Sequence, residues 1–244
     1  MQMNNIKNKF LIMSGKGGVG KTTIAVNLAY SLSEKGFQVG LLDVDITGPN
    51  VPKMLNAENN TILSKNNKIL PLVLKNNLKV ISMAFLVNKD EAVIWRGPMK
   101  HKIIKQFVED VIWDDLDYLV VDLPPGTGDE AISIAQLIPN ITGSIIVSTP
   151  QEVALLDAKK SINFSHTLKI PVIGIISNMT GHIFGYGLEE FAKKNNINYL
   201  GNLELDQIIA DAGDKGKPFV SLKNTKITKD FDEICKKILA VFPR

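Results

Sequence analysis

The stretch GKGGVGKTT (Gly15–Thr23) decides how this chain is read. It follows an apolar run, FLIMS (Phe10–Ser14), and opens a helical pattern from Thr22 to Lys35. Strand, glycine-rich turn and helix in that order build an anion site. The turn lets backbone N–H groups converge, and the helix N-terminus adds its partial positive charge. Two phosphate-binding patterns fit the string. Gly15, Gly17 and Gly20 satisfy G-x-G-x-x-G, the dinucleotide fingerprint, and Asp43 ends the second strand, where such a fold places a ribose-binding acid. Gly15, Gly20, Lys21 and Thr22 satisfy G-x-x-x-x-G-K-[ST], the P-loop. Lys21 and Thr22 decide between the two. A dinucleotide turn has no use for a lysine followed by a hydroxyl; in a P-loop, Lys21 reaches the β- and γ-phosphates and Thr22 offers an oxygen to Mg²⁺. The expected nucleotide contacts are therefore Gly15, Lys16, Gly17, Gly18, Val19, Gly20, Lys21, Thr22 and Thr23.

A P-loop needs acids downstream, and two segments supply them. Asp122 ends the apolar run YLVVDL (Tyr118–Leu123), where a Walker-B acid belongs, and is expected near Mg²⁺, reaching it through water. The following PPGTGD (Pro124–Asp129) is an irregular loop able to respond to the γ-phosphate. DVDITGPN (Asp43–Asn50) follows the second strand. Asp43 and Asp45, two apart, share a face if the strand continues. They suit one magnesium-shell acid and one acid that orients the attacking water; the alternative is a pair of loop carboxylates making turn hydrogen bonds. The string Asn88-Lys89-Asp90 begins the guanine-reading N-K-x-D but ends in Glu91, and it precedes the Walker-B strand, so it reads as a polar loop.

Apolar runs alternate with helical patterns, which argues for βαβ units and a mostly parallel sheet. Strands are expected at Phe10–Ser14, Gln38–Asp43, Leu78–Met83, Tyr118–Leu123, Ser144–Thr149, Pro171–Ser177 and near Tyr199. Helices are expected at Thr22–Lys35, Lys100–Asp110, Ala131–Gln136, Ala154–Leu168, Leu188–Asn195 and Lys226–Val241. Thr61–Leu74 reads as a hairpin turning at Asn66-Asn67, because asparagine tolerates positive φ. With no repeat and no long linker, the 244 residues are expected to form one doubly wound α/β domain with helices on both faces.

Apolar residues make up 45% and charged residues 22% of the chain, ordinary values for a soluble protein. A net charge of +3 is too weak for a nucleic-acid binder. The N-terminal MQMNNIKNKF has no apolar signal region, and no apolar run approaches the roughly 20 residues that span a bilayer. The lone Cys235 cannot form an internal disulfide. A cytoplasmic location is expected.

Taken together, GKGGVGKTT, LLDVDITGPN (Leu41–Asn50), VIWRGPM (Val93–Met99), DYLVVDLPPGTGD (Asp117–Asp129), STPQEVAL (Ser148–Leu155), SNM (Ser177–Met179) and AGDKGKP (Ala212–Pro218) follow the order found in Mrp/ApbC-type ATPases. These are relatives of MinD in the deviant Walker A class, and the chain resembles them over nearly its whole length. The resemblance implies a homodimer with nucleotide near the interface, Lys16 reaching across to the partner's phosphates, and Asp45 orienting water. It places Asp43 and Asp122 near magnesium and Asn178 against adenine. It also implies a role in carrying or assembling iron–sulfur clusters. Cluster-carrying members have a C-x-x-C segment after the asparagine–methionine motif; here SNMTGHIFGYG (Ser177–Gly187) runs through without it. The expectation is an Mg-ATP hydrolase acting in iron–sulfur protein maturation without a cysteine-pair cluster site. His182 is expected to be an ordinary loop histidine, Cys235 a core residue, and GNLELDQ (Gly201–Gln207) an adenine-side loop lacking the family's prolines. The alternative is a MinD-like positioning switch. Membrane attachment through Lys226–Phe242 is disfavoured, because its apolar stripe mixes with acids as well as lysines. A dinucleotide oxidoreductase is the residual reading.

Overall fold

The first strand, β1 (Ile6–Met13), is buried along nearly its whole length, as its unbroken apolar stretch from Phe10 demands. A computed structural model describes residues 3–46, 48–86 and 97–241. The expected Asn88–Glu91 loop, and all but the end of VIWRGPM, lie outside the described residues. β1 leads into α1 (Lys21–Glu34) and then β2 (Val39–Asp43). A short α2 (Val51–Met54) precedes a hairpin of β3 (Leu63–Lys65) and β4 (Lys68–Leu70). Its two turn residues, Asn66 and Asn67, have φ of 51° and 59°, the left-handed pair a two-residue hairpin turn requires. The rest of the predicted hairpin segment departs: β5 (Leu72–Val73) pairs antiparallel with β6 (Leu78–Ser82) at the edge of the main sheet.

Next come α3 (Gly97–Asp110), β7 (Leu116–Asp122), α4 (Asp129–Leu137), β8 (Gly143–Ser148) and α5 (Glu152–Thr167). The chain continues through β9 (Val172–Thr180), α6 (Glu189–Lys194), β10 (Tyr199–Glu204), α7 (Gln207–Asp214) and α8 (Lys226–Ala240). Among the described residues the main sheet has eight strands in the order β10-β9-β8-β1-β7-β2-β6-β5, all parallel except β5. The predicted doubly wound sheet is thus observed.

Alternation along the strands sorts two cores. Phe10 and Ile12 face α1 and α8, together with Leu28, Leu32, Phe231 and Ile234. Leu11 and Met13 face the opposite way, toward α3 and α4, with Phe107 and Ile134. On that second face, α5 and α6 cover Ile146 and Ile175 with Ala158, Ile162 and Ala192. Helices therefore lie on both faces. In α8 the stripe Ile227, Phe231, Ile234, Cys235 and Ile238 is buried, as the spacing predicted, so its apolar face belongs to the core. Among the described residues no helix is long and apolar enough to cross a membrane.

α7 was not expected. Its signals are in the sequence: Asp206 accepts a hydrogen bond from the Ile208 N–H as N-cap, and Ile208, Ile209 and Ala212 follow at helical spacing.

Candidate nucleotide site

From β1 the chain runs outward to the right-hand strands and returns to β7, then crosses to β8 on the other side. The crevice at the carboxyl ends of β1, β7 and β2 is where such sheets bind ligands. Gly15–Gly20 bridges β1 and α1 at that point. Gly20 is the N-cap of α1 at φ 86°, a left-handed conformation that glycine adopts freely. A Cβ there would run into the Asn178 amide, so the position is closed to a side chain. Asn178, buried at the end of β9, donates from Nδ2 to the Val19 carbonyl at 2.9 Å, fastening the loop to a strand 159 residues away. Gly15 packs against the Asp157 backbone of α5.

The acids meet the loop through strand register. Asp43 and Asp122 are direct partners across β2 and β7, and the Val44 N–H donates to the Asp122 carbonyl. Asp122 is fully buried. Its Oδ1 lies 2.6 Å from Lys21 Nζ, and its Oδ2 accepts from Thr22 Oγ1 at 2.7 Å. Asp43 is equally buried, accepting from Ser82 Oγ at 2.7 Å and from the Asp45 N–H at 3.1 Å. Burial first, and then the Asp122 carboxylate beside it, push the Asp43 carboxyl up to about 8. Burial raises Asp122 as well, with Lys21 and Thr22 pulling the other way.

The strand ends at Asp43, so Asp43 and Asp45 do not share a strand face as the spacing suggested. Asp45 instead accepts from the Gly48 N–H at 3.2 Å, the turn hydrogen bond that was the alternative reading, while remaining largely buried at the site. The PPGTG loop folds back on β1, its Gly126 N–H donating to the Ser14 carbonyl at 2.9 Å. Lys16 is half-buried and makes no ion pair among the described residues. Thr22, Asp43 and Asp122 offer only oxygen donors, the set a hard cation takes. No three His, Cys, Asp or Glu side chains converge among the described residues.

Beside the start of α1 lies a cavity of about 410 Å³, within the range of small-ligand sites. Thr22, Thr23, Asn178, Met179, Leu205 and Ile209 line it. The expected adenine-side segment GNLELDQ thus reaches this cavity through the end of β10, and Asn178 stands between cavity and loop. Sequence reading missed Ser82, a lone serine at a strand end without a motif. It also missed Ile209, whose signal was the unrecognised α7.

The family model for the NUBPL iron-transfer P-loop NTPase matches residues 5–239, a span containing every group just described. The chain belongs to that family. An iron-sulfur cluster carrier protein of Methanocaldococcus jannaschii is 47% identical over 97% of this chain and 86% of its own length. The corresponding protein of Escherichia coli is 41% identical over 98% of this chain and 68% of its own. Among solved structures, a nucleotide-binding protein of Archaeoglobus fulgidus in complex with ADP superposes with a TM-score of 0.78, at 31% identity and covering 89% of this chain and 90% of that one. The cell division ATPase MinD of Pyrococcus furiosus, 22% identical with a TM-score of 0.75 over 96% of this chain and 99% of its own, shares the fold. The expected family and the P-loop NTPase fold are therefore correct for this NTPase.

Proposed function

We propose that this one-domain NTPase binds Mg-ATP at Gly15–Thr23, hydrolyses it as a nucleotide-switched homodimer, and serves iron–sulfur protein maturation in the cytoplasm. The observation that carries the reading is the convergence of Lys21, Thr22 and Asp122 within single hydrogen bonds at the mouth of a base-sized cavity. Magnesium, held through Thr22, Asp43 and Asp122, would supply positive charge to the transferring phosphoryl group. Lys21 binds the β- and γ-phosphates, and Asp45 orients the attacking water. Lys16, with no ion pair among the described residues, is free to place its ammonium on the partner's phosphates, where charge builds in the transition state.

The dimer reading draws on apolar side chains exposed on α5 and in the turn after β9. Val153 and Leu156 of α5, whose Asp157 backbone touches Gly15, are exposed, as are Ile183 and Tyr186 in the turn after β9. Where exposed apolar side chains are contiguous they mark protein contacts.

The iron–sulfur role rests on the relatives' names, and the cluster is then a client's cargo. The thiol present does not fit a bound cluster. Cys235 is buried in α8, its pKa pushed up to about 12 by burial, whereas clusters select thiolates. His182 instead meets the Tyr186 hydroxyl at 3.2 Å.

Mixing Lys16→Ala chains with Lys21→Ala chains tests the reading. Each homodimer should be inactive, and mixed dimers should recover part of the ATPase rate, since one composite site keeps both lysines. No recovery, with sedimentation showing that mixed dimers form, would sink the trans assignment.

A further inference from the structure

The chain has seven methionines, and the fold sorts those among the described residues by access. Met3, Met13 and Met83 are buried to 1% exposure or less, and Met99 stands out on α3 at 51%. Met54 and Met179 lie between these extremes. Both are half-buried, and both line the cavity of about 410 Å³ beside the start of α1. We propose that Met54 and Met179 form a modification site, at which a peroxide oxidises the two thioethers to sulfoxides and so closes the cavity to a nucleotide base. This rests on the reading of Gly15–Thr23 as a nucleotide loop with the cavity as its base pocket.

Backbone geometry brings Met179 to the cavity. Neighbours along a strand point to opposite faces, yet Asn178 and Met179 both line this one space. Ser177 pairs with Asn202 and Thr180 with Glu204, so Asn178 and Met179 together stand against Leu203, a bulge in β9. Met179 has φ of 58° there, and the other non-glycine residues at positive φ among the described residues are asparagines, Asp114 and Lys169. The Met179 methyl carbon lies 3.7 Å from where a Cβ on Gly20 would stand, and that of Met54 lies 3.7 Å from where one on Gly213 would stand. One thioether therefore ends against the phosphate loop and the other against α7, with Leu205 and Ile209 in the same lining. Thioether sulfur is soft and polarisable, and it makes favourable contacts with aromatic rings.

Oxidation removes that match. A sulfur lone pair attacks one oxygen of hydrogen peroxide and the O–O bond breaks. The oxygen stays on sulfur, and its proton passes to the leaving hydroxide, which departs as water. Sulfur is oxidised by two electrons and the peroxide is reduced by two. A flexible apolar side chain becomes a polar one. A base entering the cavity must then strip water from the new oxygen against an apolar wall. A nucleotide already in place covers both sulfurs, so occupancy and oxidation oppose each other.

Hydrogen peroxide treatment of the 244-residue chain, with and without saturating Mg-ATP, tests this. Peptide mass spectrometry locates the sulfoxides, and calorimetry then measures Mg-ATP affinity. Without nucleotide, Met54 and Met179 should oxidise along with Met99, while Met3, Met13 and Met83 stay reduced. With Mg-ATP present, Met54 and Met179 should be protected and Met99 should not. Conversion of the pair should weaken Mg-ATP binding about tenfold, and methionine sulfoxide reductases should restore it. Met54→Leu/Met179→Leu conserves volume and, whatever its starting affinity, should bind equally before and after peroxide. Sulfoxide at both positions with affinity unchanged overturns the proposal, and so does a peroxide loss that the leucine variant shares. Should that variant not fold, protection by Mg-ATP and reversal by the reductases decide. Untreated protein that fails to bind Mg-ATP removes the nucleotide reading and this site with it; the other failures leave that reading standing.

Discussion

Two glycine-bounded turns lie at the carboxyl end of the sheet, and they are built in opposite senses. The Gly15–Thr23 loop turns its chemistry inward. Val19 and Lys21 are buried, Asn178 fastens its backbone, and Asp122 occupies its lysine and threonine. The Gly181–Gly187 turn closes on itself, with Gly181 and Gly185 exchanging two backbone hydrogen bonds of 2.8 Å, and it holds Ile183 and Tyr186 out at 75% and 66% exposure. The first loop has bound its polar groups to one another in a form that a charged ligand can exchange with. The second presents two apolar side chains to its surroundings. One end of the sheet thus carries two loops that differ in what they present, buried polar groups in one and exposed apolar side chains in the other.

The largest break in this comparison should come from the inward side. Asp45→Asn should lower saturated ATP turnover by about a thousandfold with little change in affinity, because a water-orienting acid acts mainly in the transition state. Single-turnover rates measured alongside calorimetry check this; wild-type turnover would mean that another carboxylate has the task. Lys21→Ala should weaken Mg-ATP binding by about a hundredfold, the loss of a charge-assisted contact to phosphate. Unchanged affinity would remove the loop from the site.

Changes on the outward side should be smaller and should spare nucleotide binding. Replacing Ile183 and Tyr186 together with serine should raise the dimer dissociation constant about tenfold in sedimentation with ATP, and leave monomer ATP affinity as it was. An unaffected dimer would assign these side chains to a different partner. The smallest effect sharpens the contrast between this turn and the cysteine-bearing form expected from the resemblance. Cys235→Ser should cost about 1–2 kcal/mol of stability by burying a hydroxyl in an apolar site, and should change nothing in iron binding. Anaerobic reconstitution should give near-zero iron in both proteins; iron bound to wild type and lost in the variant would restore a cluster to this chain.

Legibility followed the same division. Gly15–Thr23 and Asp122 were readable because phosphate chemistry fixes residue type and spacing over a few positions. The strands were readable from apolar runs, and α8 from its spacing. The failures concern what lies far apart in sequence. Nothing in the string SNM says that Asn178 will bond to the Val19 carbonyl, and nothing marks Ser82 as the hydroxyl donating to Asp43, since both depend on neighbouring strands coming into register. α7 is a different failure. Its cap and periodicity are local, but over only eight residues they make a weak signal. The end of β2 at Asp43 was legible, and because the strand does not continue, Asp45 is a turn acceptor, the alternative left open for it.

The pairing of β1 has a consequence for how the chain is made. Its neighbours are β7 and β8, and Ile6 stands in register with Leu116, so β1 is made ahead of both partners and meets neither until more than a hundred residues have followed. At the usual pace of synthesis that interval is on the order of ten seconds, during which an apolar segment has no sheet to join. Lys21 and Thr22 wait equally long for Asp122. Nascent chains cut before β7 should therefore show neither protease resistance nor nucleotide capture.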